Sequence, residues 1–295
     1  MNKENKKAKW IKRLGYMFLF ATFAFLVLCW IVGGRLVAPA NQHVGQPPEE
    51  LNFVSTTVKS ESGSALATWY ADAANAKATV VLLHPLHADR RAMLDRARMF
   101  LKHDFSVVLM DFQAHGESDG DNLTIGHLEK FDVQAIAKFA GGRNPEHSLM
   151  IDGWSLGGAA AVLAGPIEGV DAIVLESVYP TIEEAIDDRV AMRLGPLSKI
   201  VSPLLTVQLP IRLGISPTEL RPIEAIKNVD CPILMLVGDQ DQHTPLDESQ
   251  RLFESANSPK KLVVFKGAEH TDLFAFDPKL FESSVLTFFD EHLRK

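Results

Sequence analysis

Leu149-Met150-Ile151-Asp152-Gly153-Trp154-Ser155-Leu156-Gly157-Gly158 is the stretch on which the reading of this chain turns. It opens as a short apolar run, turns through Gly153-Trp154-Ser155-Leu156-Gly157, and continues into the small-residue segment Ala159–Ala164. A strand, a tight turn and a helix in that order form the setting in which a G-x-S-x-G pattern lifts a serine hydroxyl off the end of a sheet. Glycine on both sides lets neighbouring backbone come close without a Cβ clash. The helix that follows presents free N–H groups and a positive end where negative charge could develop. The string alone occurs by chance in many proteins, so its weight comes from the strand and helix around it.

Apolar runs recur outward from this turn. Thr79–Leu83, Ser106–Met110, Ser148–Ile151, Ala172–Leu175, Ile233–Val237 and Lys261–Phe265 alternate with amphipathic helical stretches. Runs of this length with helices between them predict a mostly parallel sheet covered on both faces, an α/β architecture. Upstream, Phe53–Val58 and Ala65–Tyr70 alternate around Ser62-Gly63-Ser64, a hairpin signal. Between the fourth and fifth runs, residues 178–228 carry Pro180, Pro196, Pro203, Pro210, Pro217 and Pro222 among helical stretches, which predicts a small helical cap. The chain from 52 to 295 then reads as one domain with that cap inserted.

The first 51 residues are different. Seven Lys/Arg and one Glu lie in residues 1–35, leaving 23 basic and 36 acidic residues beyond, a body of net charge −13. Such an acidic body argues against nucleic-acid binding. Leu14–Val32 is an unbroken apolar run, about 28 Å long as a helix against a hydrocarbon core of roughly 30 Å. A basic tail (1–13), a transmembrane anchor (14–34) and an extended linker (35–51) follow from this pattern, with the N-terminus cytoplasmic and the body on the outer or periplasmic side. A cleaved signal peptide is the competing reading, with Ala38-Pro39-Ala40 imitating its processing site. Cys29 and Cys231 read as packing residues rather than a disulfide. His84-Pro85-Leu86-His87 lacks further ligands for a metal, and no cofactor motif is present.

Two more strand ends carry chemistry. Leu234–Val237 leads into Gly238-Asp239-Gln240-Asp241-Gln242-His243-Thr244-Pro245, and Val263–Phe265 leads into Lys266-Gly267-Ala268-Glu269-His270. Ser155, Asp241 and His270 each follow a strand, and in an open parallel sheet those ends share the edge where ligands bind. With Asp111-Phe112-Gln113-Ala114-His115-Gly116-Glu117-Ser118, these motifs resemble the α/β-hydrolase superfamily, in particular small serine hydrolases related to dienelactone hydrolases and prolyl-oligopeptidase catalytic domains. The likeness spans about Phe53 to the C-terminus. His84-Pro85 stands where the family has His-Gly, and Gln113-Ala114 where Arg-Gly is common.

The resemblance implies an α/β-hydrolase fold and hydrolysis of an ester, thioester or amide through an acyl-serine. Ser155 would be the nucleophile, His270 the general base and Asp241 its orienting acid, with Asp239 and Glu176 as rivals for that last place. The backbone N–H groups of Leu86 and Leu156 would form the oxyanion hole. His115 and Ser118 would steady a loop beside the site. The expected partners are a small-molecule or lipid-like ester and a membrane held through the N-terminal helix. A peptidase of the same superfamily and a non-catalytic binding protein with the same fold are the alternatives.

Overall fold

The computed structural model describes residues 3–257 and 259–294, so the first two residues of the expected basic tail lie outside the described residues. Eight strands form one sheet: β1 (Val54–Lys59), β2 (Ala65–Ala71), β3 (Ala78–Leu83), β4 (Phe105–Met110), β5 (Ser148–Trp154), β6 (Val170–Glu176), β7 (Ile233–Gly238) and β8 (Lys260–Phe265). Their spatial order is β8-β7-β6-β5-β3-β4-β2-β1. The β1–β2 hairpin joins antiparallel, and the other six strands are mutually parallel. Every residue of β3, β4 and β7 is buried, which is why these strands read as continuous apolar runs instead of alternating ones. Two apolar cores flank the sheet. One packs against α3 (Glu129–Arg143) and α4 (Leu156–Ala164), the other against α2 (Leu94–Lys102) and the C-terminal helix Pro278–Glu291.

The helix α1 (Lys3–Leu36) is longer than the expected span, and most of its apolar side chains are exposed. Of residues 35–51, expected as a linker, Arg35 and Leu36 end α1 and Glu49–Leu51 form a 3-10 turn, and the stretch between them is not a free spacer. Ala40–Asn41 pairs with His115–Gly116, Leu123 N–H donates to Val37 O at 3.0 Å, and Val44 N–H donates to a Glu117 oxygen at 3.1 Å. Such pairing has no hydrophobic period to announce it, so composition alone pointed to a spacer. Between β6 and β7 the insertion forms α5 (Ile182–Leu194), α6 (Ser198–Thr206), α7 (Gln208–Leu213) and α8 (Pro222–Ala225). Three of its prolines, Pro196, Pro217 and Pro222, sit at first helical turns, where the missing N–H costs nothing, while Pro203 lies inside α6.

Candidate active site

Ser155 stands alone between β5 and α4, with φ 51° and ψ −107°. Few non-glycine residues adopt this backbone, and surrounding contacts must impose it. Ser155 N–H donates to Glu176 O at 2.8 Å, and Ala159 N–H donates to Ser155 O at 2.9 Å. A Cβ on Gly153 would strike the backbone of Gly157 and Gly158, and one on Gly157 would strike the Leu83 carbonyl. The G-x-S-x-G spacing is therefore a packing requirement of the turn.

Ser155 Oγ lies 3.4 Å from His270 Nε2. This is long for an O–H···N hydrogen bond, as such contacts often are before substrate tightens them. On its other side His270 Nδ1 lies 2.7 Å from Asp241 Oδ2. Asp241 sits in a tight turn: Oδ1 accepts the N–H groups of His243 and Thr244 at 2.8 and 3.0 Å, and Oδ2 accepts the Thr244 hydroxyl at 2.7 Å. Burial works against its charge, yet the hydrogen bonds and nearby positive potential of His270, with those of Thr244, hold Asp241 below the usual carboxylate range. A carboxylate that stays ionised while buried suits a partner that must become cationic.

The rivals for the acid are engaged elsewhere. Asp239 accepts the Gly267 N–H at 2.7 Å and staples the loops after β7 and β8. Glu176 is fully buried and bound by the Arg96 guanidinium, with one contact at 3.0 Å. Arg96 also holds Asp272 at 2.7 Å and lies 3.6 Å from Asp152. Three carboxylates thus face one cation. Burial drives Glu176 well above the ordinary range and Asp152 upward, against the pull of Arg96.

The loop after β3 carries the second expected oxyanion donor. His84 is buried, and its Nε2 accepts the Phe112 N–H at 3.0 Å. Nδ1 must therefore carry the ring proton, which it donates to Pro85 O at 2.8 Å. Burial, reinforced by neighbouring His115, lowers the His84 pKa to about 3. His84 is thus a neutral clasp between the loops after β3 and β4. Neither the Leu86 nor the Leu156 backbone N–H donates a hydrogen bond among the described residues. Ser118 and His115 brace the loop after β4: the Ser118 hydroxyl donates to Asp111 O at 2.7 Å and accepts the Ala67 N–H at 2.9 Å, and His115 Nδ1 donates to Gln113 O at 2.9 Å.

Three neighbours of the site escape motif reading. Thr244 and His243 are recoverable from the Asp-x-His-Thr-Pro turn, since an aspartate two or three residues before free N–H groups commonly closes such turns. The His243 ring stacks on that of His270, with centroids 4.6 Å apart. Met192 comes from α5 and has no sequence signal. With His243, His270, Gln240, Gln242 and Glu269 it lines a cleft of ≈ 160 Å³. A larger depression of ≈ 550 Å³ around Gln134, His147 and Arg294 lies at the opposite end of the strands, beside Leu149, and is lined by no serine, threonine or cysteine among the described residues. Tyr179 faces neither cleft; it is buried and donates to Ile125 O at 2.9 Å.

The fold agrees with solved relatives. An esterase of Pyrococcus furiosus (Pf2001) superposes with a TM-score of 0.73 at 21% identity, over 87% of this chain and 98% of its own. The family described as "Serine aminopeptidase, S33" matches residues 74–218, a span that contains Ser155 and stops before Asp241 and His270. In sequence, the uncharacterized protein YqkD of Bacillus subtilis (strain 168) is 23% identical over 216 residues, 72% of this chain and 71% of its own. YfhR of Escherichia coli (strain K12) is 25% identical over 248 residues, covering 80% and 79%. The chain has the α/β-hydrolase fold.

Proposed function

We propose that the protein is a serine hydrolase that cleaves a carboxylic ester through an acyl-serine intermediate. The observation that carries this reading is the line Ser155 Oγ–His270 Nε2–His270 Nδ1–Asp241 Oδ2, at 3.4 and 2.7 Å, on the ligand edge of the sheet. His270 Nε2 takes the hydroxyl proton as Ser155 Oγ attacks the carbonyl carbon. Asp241 fixes the Nδ1–H tautomer and stabilises the imidazolium. The N–H groups of Leu86 and Leu156 receive the oxyanion, His270 returns the proton to the leaving alkoxide, and water releases the acid by the same route. The esterase likeness of the fold supports an ester as substrate.

The description of the matched family favours a second reading, amide cleavage at a peptide terminus. The protein would be exposed to a fluorophosphonate and assayed with p-nitrophenyl esters and aminoacyl p-nitroanilides, alongside Ser155→Ala. Labelling and ester turnover that vanish in the variant support the esterase. Faster anilide than ester turnover would shift the reading to a peptidase. An intact Ser155 that neither labels nor turns over either substrate would leave a binding protein of hydrolase fold.

In the same reading α1 crosses a membrane, with the lysine-rich end inside and the body outside. Within Lys9–Leu36 an 18-residue window has mean hydropathy 2.3, and the basic residues of α1 concentrate before the apolar run.

A further inference from the structure

The cap helices do not hang free of α1. Gln208 Nε2 donates to Cys29 O at 3.0 Å, and the Arg212 guanidinium lies 3.8 Å from the Trp30 ring centroid while also bonding the Trp30 carbonyl. Gly33 and Gly34 make this approach possible: a Cβ on Gly33 would strike the Gln208 amide, and one on Gly34 would come within 3.1 Å of Arg212. A helix of Lys9–Leu36 is about 42 Å long against a hydrocarbon core of roughly 30 Å. With the basic tail at one face, Cys29–Gly34 falls at the far boundary of the hydrocarbon. Trp30 there matches the usual place of interfacial tryptophan.

Contact at that depth brings α6 and α7 to the same level. The backbone continues helically through Val207, and Leu197, Ile200, Pro203, Val207 and Ile211 follow one another at intervals of three or four residues. They form one exposed stripe; Ser198, Ser202, Leu205, Gln208 and Leu209 face the opposite way and are buried. Ile200 and Ile211 are 58% and 63% exposed. Arg35, one residue beyond Gly34, and Arg193, four residues before Leu197, are exposed, and such cations suit anionic lipid headgroups. Met192, at the end of α5 just before the stripe, is itself 47% exposed and forms one wall of the cleft at His270.

We propose that the α6–α7 stripe lies in the outer lipid–water interface beside α1, and that the cleft at His270 takes amphiphilic acyl esters from that interface past Met192. The interface placement rests on α1 as a membrane span, and the substrate route rests also on the serine-hydrolase reading above. An apolar stripe continuous with a membrane helix and held to it by hydrogen bonds is the kind of exposed surface a soluble body rarely keeps. Hydrolysis of an ester drawn from the bilayer leaves a fatty acid and an alcohol, with water as the only co-reactant.

The test uses the full chain in vesicles of phosphatidylcholine and phosphatidylglycerol. Cys29→Ala/Cys231→Ala serves as background, with a bimane label on Ile200→Cys, Ile211→Cys or, as an exposed control on the loop after β8, Lys266→Cys. Doxyl-labelled lipid should quench the labels at 200 and 211 several-fold more than the one at 266. Equal quenching at the three positions overturns the placement, as does label–label self-quenching at 200 without lipid quenching, which would give the stripe to a second copy of the chain.

Ile200→Glu/Ile211→Glu should lower turnover of p-nitrophenyl palmitate carried in the vesicles by about tenfold, with soluble p-nitrophenyl acetate changed less than about twofold. Equal loss on both esters, or no loss on either, overturns the substrate route. Lipid quenching at 200 and 211 in a protein that turns over neither ester would support the placement and remove the hydrolase reading.

Discussion

Glu176, the last residue of β6, and Asp241, three residues beyond the end of β7, are both buried carboxylates near the serine turn, and the two behave oppositely. Glu176 shares one guanidinium with Asp152 and Asp272, and burial pushes it toward the protonated form. Among the described residues Asp241 makes no ion pair besides that with the imidazole, but four hydrogen bonds converge on it and hold it below the usual carboxylate range. Two acids at equivalent strand ends thus take different work. One sets the base beneath Ser155, and the other can polarise His270. What separates them is the donor set rather than depth, since both are buried.

Exchange of each group for its neutral isostere gives the widest separation. Asp241→Asn should lower kcat by about 10⁴-fold with little change in folding stability, because the amide disturbs the tautomer and leaves the imidazolium without a counter-charge. A Glu176→Gln protein, normalised to active sites, should keep kcat within about threefold and lose less than about 1 kcal/mol, since glutamine keeps the shape of the acid and burial already works against its charge. If the glutamine variant were the inactive one, the acid would be Glu176 and the assignment of Asp241 would fall.

Arg96→Met sharpens the contrast through stability. It strands Glu176, Asp152 and Asp272 around an apolar side chain, and urea denaturation should show a loss of about 3–5 kcal/mol, partly recovered at acid pH as those groups protonate. Thr244→Val acts on the other acid. Removing the hydroxyl that donates to Asp241 Oδ2 should reduce kcat/KM by about tenfold, the equivalent of one charge-assisted hydrogen bond, while the urea midpoint moves little.

The smallest effect concerns pH. Burial raises Asp132 to about 7, and burial together with Asp188 and Glu184 raises Glu248 to about 8. Their folded values exceed the unfolded range near 4, so the folded state binds more protons and stability falls as pH rises through 7 and 8. His84, at about 3, and His243, lowered to about 4 chiefly by burial, have folded values below the unfolded one. They therefore favour unfolding only below about pH 6.5 and offset the carboxylates there. The urea midpoint should be lower at about pH 8.5 than at about pH 6.5, and Glu248→Gln should reduce that difference; a midpoint that rises with pH over this range would count against the buried protons.

Much of the fold was legible because buried parallel strands are contiguous apolar runs. The sheet contains all six expected strands and the hairpin, with ends moved by at most three residues. The serine turn was legible because its G-x-S-x-G spacing is local: Gly153 answers to backbone four and five residues on, although Gly157 answers to the Leu83 carbonyl of the neighbouring strand. Residues 35–51 misled as a spacer, since their pairing partners lie some 75 residues downstream. Met192 was invisible for a similar reason: only the path of the insertion brings α5 beside His270. The attachment of the cap to α1 also had no local sign, although Gly33-Gly34 records it once Gln208 and Arg212 are seen against them.

The sequence by itself determined what is governed by neighbours along the chain: the alternation of strands and helices, the strained turn at Ser155, the apolar helix with its basic tail, and the strand ends that carry Asp241 and His270. The tertiary structure alone decided which acid faces the histidine, which histidine is a neutral clasp, and which side of the cap stays uncovered. These are settled by burial and by donors from distant segments, whose effect on a charge depends on distances of a few ångströms that no local pattern encodes.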